Sequence, residues 1–153
     1  MADAGEAGGA AAPRPTDGDV EMAARLRLAT ARLFRRLRQQ SLGGLTPSQL
    51  SCLTSVEKLE PVRLGDLAAR EAVAPPTLTR IVAGLLEIGM VARRPDPDDA
   101  RAALMTMTEK GRTALQTVRE ERTAFLVERL HQLPPIDRAK LPELVELLER
   151  LPD

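Results

Sequence analysis

The chain has 153 residues, enough for one domain of ordinary size. Lys and Arg together number 22, and so do Asp and Glu, so the formal net charge is zero. An overall electrostatic attraction to a polyanion is therefore excluded, and any such attraction must come from where individual arginines lie. Phe34 and Phe125 are the only aromatic residues, which predicts an aliphatic core and excludes an aromatic platform for single-stranded bases.

Cysteine and histidine each occur once, as Cys52 and His131. This excludes an intrachain disulfide and a Cys-based metal cluster. For Cys52 we expect a small buried core residue, the alternative being a reactive thiol, and for His131 a surface or helix-end residue rather than a metal ligand. Since no nucleophile–base pair and no phosphate-binding glycine loop is visible, we expect neither an enzyme nor a bound cofactor.

The N-terminus carries acidic residues and lacks the basic and apolar regions of a signal peptide. No apolar run reaches transmembrane length, so we expect a cytoplasmic protein with no membrane partner. Residues 1–16 are rich in Ala, Gly and Pro and are expected to form a disordered tail. Helical spacing of leucines begins after Asp19 and predicts a first helix that ends before Gly43 and Gly44.

Thr46-Pro47-Ser48-Gln49 predicts the start of a second helix, with Thr46 as the cap and Gln49 reaching back to it. This helix should stop near Glu60-Pro61, and a short third helix should run from Leu64 to Glu71. A fourth helix opens at Pro75-Pro76 and runs to Leu86 before Gly89. Its predicted apolar face consists of Leu78, Ile81, Val82, Leu85 and Leu86.

After Gly89 the hydrophobic period changes from helical to two, which predicts a hairpin with strands at 90–93 and 102–107. Thr108 then caps a long fifth helix that runs to about Gln132 and is broken by Pro134-Pro135. A last helical segment spans 141–151, and Pro142 should either kink it or start it afresh.

This order predicts a mainly α fold: a winged helix-turn-helix with N- and C-terminal dimerisation helices and a two-stranded β wing. A recognition helix of this kind docks its apolar face on its own core and presents polar residues to the major groove of DNA. Here those outward residues are Thr77, Thr79 and Arg80, candidates for contacts to phosphates or bases. The alternative is an ordinary solvated face of an amphipathic helix.

Three arginines surround the predicted wing tip: Arg93 and Arg94 lead into the loop, and Arg101 leaves it. An arginine at a wing tip can enter the narrow, electronegative minor groove, and Asp99 could hold the Arg101 guanidinium in place. The acidic residues of the loop are Asp96, Asp98 and Asp99. They offset the arginines, so a solvated turn with self-compensating charges remains the alternative.

Several of these segments resemble the MarR family of transcriptional regulators. The resemblance lies in Leu45-Thr46-Pro47-Ser48-Gln49, Leu64-Gly65-Asp66-Leu67-Ala68, Pro76-Thr77-Leu78-Thr79-Arg80-Ile81-Val82, Leu85-Leu86-Glu87-Ile88-Gly89-Met90-Val91, Asp96-Pro97-Asp98-Asp99-Ala100-Arg101 and Met107-Thr108-Glu109-Lys110-Gly111-Arg112. These segments stand in the family's order, and the resemblance as a whole covers nearly all of residues 20–151. Ala74-Pro75-Pro76 departs from the family, which often has a Ser-containing cap there.

The resemblance implies a homodimer whose terminal helices intertwine, a recognition helix in the major groove, and a wing Arg in the minor groove. Thr77, Thr79 and Arg80 carry over to the recognition helix, and Asp99 and Arg101 to the wing. Arg93 and Arg94 carry over as backbone contacts. It also implies a response to a small phenolic or anionic effector. The expected domain is 17–153, with dimerisation helices at 17–42 and 112–153 and the winged-helix part at 46–111.

The apolar stripes of the first and last helices separately favour a second subunit, since exposed Leu side chains cost about 1.5–3 kcal/mol each. Packing of the two stripes on each other within one chain is the alternative. An effector pocket is expected between the first, second and fifth helices, lined by Leu33, Leu37, Leu53 and Phe125.

We therefore expect a homodimeric repressor that binds a pseudo-palindromic double-stranded operator and is released by an effector. The competing hypothesis is a winged-helix protein–protein adaptor without DNA binding, which the neutral charge and acidic wing favour.

Overall fold

The computed structural model describes residues 14–40, 42–99 and 102–151, without the side chain of Gln40. Most of the expected N-terminal tail, together with the wing residues Ala100 and Arg101, lies outside these ranges. The helices are α1 Asp17–Gln40, α2 Pro47–Leu59, α3 Leu64–Glu71, α4 Pro75–Glu87, α5 Glu109–His131, α6 Pro135–Arg138 and α7 Leu141–Glu149. The strands are β1 Val62–Arg63, β2 Val91–Pro95 and β3 Ala103–Met107.

The chain forms two compact units, the first of which extends to Arg35 and contains most of α1. Thr16 and Asp19 set the start of this helix. The Asp19 carboxylate accepts from the Thr16 backbone N–H at 2.8 Å, and the Asp19 N–H donates to Thr16 Oγ1 at 3.3 Å. This local cap places the first helical residue at Asp17, two residues before the predicted start, because reciprocal capping satisfies N–H groups that have no partner within the helix.

The second unit runs from Arg36 onward, and its core begins at Leu45, just before α2. The predicted capping box is confirmed: Gln49 N donates to Thr46 Oγ1 at 3.2 Å, and Thr46 N donates to Gln49 Oε1 at 2.9 Å. The inner face of α2 packs against α3 and α4 through fully buried Leu53 and Val56. The whole core is aliphatic, as the composition predicted, and its largest fully buried side chains are Leu53, Leu67, Leu78, Leu85, Met105, Val56, Val118 and Cys52.

Helices α3 and α4 are joined by a tight turn and form the helix-turn-helix. Ala72 occupies the left-handed region with φ of 51°, and Val73 N donates to Ala68 O at 3.2 Å, which closes the end of α3. The end of α4 is closed in the same manner at Gly89, whose φ is 70°. There Met90 N donates to Leu85 O at 2.9 Å, so the chain turns directly from the recognition helix into β2.

The wing hairpin of β2 and β3 is confirmed, with Val91 opposite Met107 and Pro95 opposite Ala103. A third strand, β1, was not predicted. It pairs antiparallel with β3, so the strand order is β1-β3-β2. Two residues are too short to show a period, and β1 exists only because β3 lies beside it.

Thr108 caps helix α5, as predicted, and the helix packs on α2 through buried Leu115 and Val118. It ends at exposed His131, which confirms the expected helix-end position. Pro142 is the second residue of α7, so the last helix starts afresh there instead of being kinked. Within the described ranges, no helix combines the length and the apolarity that crossing a membrane requires.

Candidate nucleic-acid interface

Helix α4 separates a docked face from an exposed face. Leu78, Val82 and Leu85 are buried at three- and four-residue spacing against α2 and α3. Arg80 follows Leu78 by two residues, which is about 200° around a helix, so it projects from the opposite side. Ala83 continues this exposed face one turn further along. Its short side chain allows a partner surface to approach the helix closely beside Arg80.

Thr77 and Thr79 flank Arg80 and are exposed, as the sequence predicted. The Thr79 hydroxyl donates to Pro75 O at 2.9 Å, so its proton is engaged while its oxygen can still accept. Among the described residues, none forms a hydrogen bond or ion pair with the Arg80 guanidinium. The helix therefore presents a cation and two hydroxyls on one solvent-facing surface.

The N-terminus of α4 contributes little to anion binding through its backbone. Pro75 and Pro76 have no N–H groups, Ala74 provides no side-chain cap, and the first available N–H, on Thr77, already donates to Ala74 O at 2.9 Å. Helix N-termini ordinarily offer free N–H groups to a phosphate. At this helix start, anion binding would therefore fall to exposed side chains such as those of Thr77, Thr79 and Arg80.

The wing presents two further cations on β2. Arg93 and Arg94 are both exposed and, being consecutive in a strand, project from opposite faces of the sheet. Arg93 lies opposite Met105 and Arg94 lies opposite Leu104. Within the described part of the chain neither guanidinium has an ion-pair partner. Arg101, the predicted minor-groove residue, lies outside the described residues, whereas Asp99 is described and exposed.

Asp96 is the site residue whose role the sequence did not reveal. Its side chain is only 3% exposed, and Oδ2 accepts from Arg63 Nε at 2.6 Å while Oδ1 accepts from Asp98 N at 2.9 Å. The Arg63 hydrogen bond, followed by that from the Asp98 backbone, holds the pKa of the Asp96 carboxyl below its usual value. The wing's acidic residues are thus not equivalent, since Asp96 is internal while Asp98 and Asp99 face solvent.

Ion pairs connect the winged-helix part to α5. Glu57 on α2 pairs with Arg119, whose Nη1 donates to Glu57 Oε1 at 3.0 Å. This hydrogen bond holds the pKa of Glu57 below its usual value. Glu60 pairs with Arg112 at 2.7 Å and also accepts from Met107 N at 2.6 Å. The end of α2 is thereby tied to both β3 and α5.

The residues expected to line an effector pocket occupy different environments. Leu33, on the first unit, is exposed, whereas Leu37 and Phe125 are half-buried and Leu53 is fully buried in the core. The Arg129 guanidinium lies 5.1 Å from the centre of the Phe125 ring. Two open grooves of about 490 and 640 Å³ lie along α5, and neither is lined by these four residues.

Cys52 has no exposed surface. Burial raises the pKa of its thiol to about 11, and the nearby Glu71 carboxylate acts in the same direction. The expectation of a core residue is confirmed, because a buried thiol with a raised pKa has little of the thiolate character that a reactive cysteine needs.

A helix-turn-helix followed by a β hairpin, with a polar exposed face on the second helix, defines a winged helix-turn-helix protein. Residues 45–103, from the start of the second unit's core to the first residue of β3, match the sequence model of the MarR family. Together with the relatives described next, this match shows that the chain belongs to the MarR family of transcriptional regulators. Members of this family bind DNA and are generally not enzymes.

An uncharacterized HTH-type transcriptional regulator of Mycobacterium bovis is 37% identical over 138 residues, covering 90% of this chain and 96% of that protein. The HTH-type transcriptional repressor MdtR of Bacillus subtilis is 26% identical over 110 residues, covering 69% of this chain and 71% of that protein. A crystal structure of a transcriptional regulator from Pseudomonas aeruginosa is 32% identical, with a TM-score of 0.77 over 90% of this chain and 97% of that one.

Proposed function

We propose that this chain is a repressor that binds a pseudo-palindromic operator as a homodimer and is released by a small phenolic or anionic ligand. The observation that carries the DNA-binding surface is the exposed face of α4, where Arg80 follows Thr77 and Thr79 and has no intramolecular ion-pair partner among the described residues. A guanidinium left available in this way can bind a phosphate or the edge of a guanine. The name of the B. subtilis relative supports the choice of repression.

The proposed DNA-binding residues are Thr77, Thr79, Arg80, Arg93, Arg94, Asp99 and Arg101. The first three would enter the major groove, and Arg93 and Arg94 would contact the backbone beside it. Arg101 is proposed, from the sequence alone, to reach the minor groove with Asp99 orienting it. The neutral net charge makes these local cations necessary, because the chain has no overall surplus of positive charge to hold it on DNA.

A homodimer is supported by the apolar surface of the last helix. Leu144, Val145, Leu148 and Leu151 follow helical spacing on α7 and beyond its end, and each is more than one-third exposed. Because these four side chains are about half exposed, burying the remainder against a second subunit would contribute roughly 3–6 kcal/mol, half of the full-burial value. A two-fold dimer would place its two recognition helices about 34 Å apart, which is one turn of DNA, and would therefore require a pseudo-palindromic operator.

The effector site is proposed at Leu33, Leu37, Leu53 and Phe125. Of these, Leu53 has no exposed surface, so a ligand would reach it only if the packing around α2 opened. An effector acting in this way would bind one conformation of the protein better than the DNA-bound one. The factor by which the effector weakens DNA binding would then be set by the ratio of its affinities for the two conformations.

The test is a titration of the protein into a fluorescent duplex taken from the region upstream of its own gene, at several salt concentrations. We expect two chains per duplex, and binding that weakens as salt rises because phosphate contacts release counterions. Arg80→Ala should weaken binding by about tenfold or more. Arg150→Ala is the matched control, since Arg150 is an exposed arginine in an ion pair with Glu146 at the far end of the chain.

If neither this duplex nor a random one binds above a weak non-specific level at low salt, the DNA-binding proposal is wrong. The adaptor hypothesis would then take its place. Exposed Asp98 and Asp99 at the wing favour that second candidate, because they would repel a DNA backbone while leaving a protein partner unaffected.

A further inference from the structure

Among the described residues, Asp96 is the one charged residue that is buried, although it stands in a surface loop. Buried carboxylates are costly unless they are paired and hydrogen-bonded. Asp96 meets both conditions, through Arg63 at 2.6 Å and the Asp98 N–H at 2.9 Å. Its backbone N–H also donates to Ala102 O at 3.3 Å, which closes the base of the wing loop. A single residue therefore connects the wing loop to the strand that precedes the helix-turn-helix.

Arg63 is only partly used by this pair. Its Nε donates to Asp96 while its side chain remains 49% exposed, and the Asp99 and Asp66 carboxylates also attract it electrostatically. A guanidinium has five N–H donors in a rigid fork. With Nε bonded to Asp96 and half of the side chain exposed, the guanidinium keeps further N–H donors with which it can bind a phosphate.

The position of Arg63 fits a role beside the wing. It pairs with Leu104 on β3, and Leu104 pairs with Arg94 on β2, so the three side chains share one face of the sheet. The backbones of β1 and β2 are about 10 Å apart, two strand spacings. The opposite face carries Val62 and Met105, which are buried in the core. Arg63 and Arg94 thus flank Leu104 on the outer face as a pair of exposed cations.

We propose that Arg63 is an additional DNA-backbone contact and that Asp96 is the positioning residue that orients both Arg63 and the wing loop. This inference rests on the proposed DNA-binding function and extends it to the first strand, which the sequence did not identify as an element at all. It also assigns a function to one of the three acidic residues of the wing loop. Asp96 supports DNA binding although it carries a negative charge.

Two substitutions with the same charge change separate this role from simple electrostatics. Asp96→Asn and Asp98→Asn each remove one negative charge, but the Asp98 side chain is exposed and has no described partner. Removing an anion near DNA should tighten binding through the general field. We expect this from Asp98→Asn. Asp96→Asn should instead weaken binding, on the order of tenfold. The reason is that Arg63 loses a charge-assisted hydrogen bond and the wing loop loses the carboxylate that holds it to β1.

Binding would be measured by fluorescence anisotropy on a mixed-sequence duplex, since phosphate contacts do not depend on sequence. Arg63→Ala should lower the slope of log K against log salt by about 0.9 for each chain bound, whereas Arg63→Lys should keep the slope. In the double variant Asp96→Asn/Arg63→Ala, the loss of binding free energy should be smaller than the sum of the two single losses, because both changes remove the Arg63 contact. Circular dichroism at the assay temperature would verify that each variant is folded.

The proposal is overturned if Asp96→Asn and Asp98→Asn change the affinity equally while both remain folded. If Asp96→Asn does not fold, the substitutions at exposed Arg63 decide whether the proposal stands. An unchanged slope of log K against log salt in Arg63→Ala would then refute the contact between Arg63 and the DNA backbone. Failure of the unmodified protein to bind any duplex at low salt would be a different result, because it would refute the proposed function itself.

Discussion

Gly111 is the position where one added methyl group should have the largest effect on stability. It lies in the first turn of α5, where an ideally placed Cβ would be 2.2 Å from Met90 O and 2.7 Å from Met107 Sδ. The first distance is more than 1 Å inside ordinary carbon contact, which is about 3.5 Å. The atom approached is a backbone carbonyl, and it is held in place by the hydrogen bond that Thr108 N donates to it at 3.2 Å.

The expected cost of Gly111→Ala follows from two opposing terms. Overpacking against a backbone that cannot move freely costs about 3 kcal/mol, the upper part of the usual range. Replacing Gly by Ala inside a helix returns about 1 kcal/mol. The net expectation is a loss of about 2 kcal/mol in the free energy of unfolding. The strain falls on Met90, where α4 leads into the wing, so DNA affinity should decrease as well.

Gly65→Ala is the matched control, because Gly65 lies in the first turn of α3 and a Cβ there would meet nothing within 4 Å. We expect that variant to be neutral or up to about 1 kcal/mol more stable. Both would be measured by urea unfolding followed by circular dichroism, at one protein concentration because dimerisation would shift the midpoint. Equal stability of the two variants would refute the close approach at Gly111.

Thr46→Ala should lower the free energy of unfolding by about 1 kcal/mol in the same assay, since it removes half of the capping box; an unchanged midpoint would show that the cap does not contribute. Cys52 should resist a thiol reagent at pH 8 in the folded protein and react after unfolding, because burial raises its pKa to about 11; rapid labelling of folded protein would contradict its burial. The pKa of Glu57 is lowered on folding by Arg119, so its contribution to stability is present above its unfolded pKa and is lost as the pH falls through the folded one. Glu57→Gln should therefore flatten the acid side of the stability curve while costing at most about 1 kcal/mol at pH 7, and an unchanged acid side would rule out this pair as its cause.

Local signals in the sequence were sufficient for most of the secondary structure. The capping box at Thr46 and Gln49 depends on residues three apart, and the bounds of α3 are those predicted. The fourth helix was predicted to within one residue, since its prolines and Gly89 mark its ends. The change of period after Gly89 likewise predicted the hairpin. In each case the determining interactions lie within a few residues, so they can be read without knowing the fold.

The outward position of Arg80 also followed from sequence, because helical geometry relates it to the apolar residues of its own helix. The same reasoning could not identify Arg63, since a two-residue strand has no period and its partner β3 begins forty residues later. Asp96 was grouped with Asp98 and Asp99 because the three are alike in sequence.

What separates Asp96 from its neighbours is a contact with a residue 33 positions away. Such a contact exists only after β1, β2 and β3 have paired, so no local pattern can report it. The sequence by itself therefore determined the hairpin, the polar face of α4 and every helix of the described residues except the short α6, which was not predicted. The tertiary structure alone decided which charges of the wing are internal and which remain available to a partner.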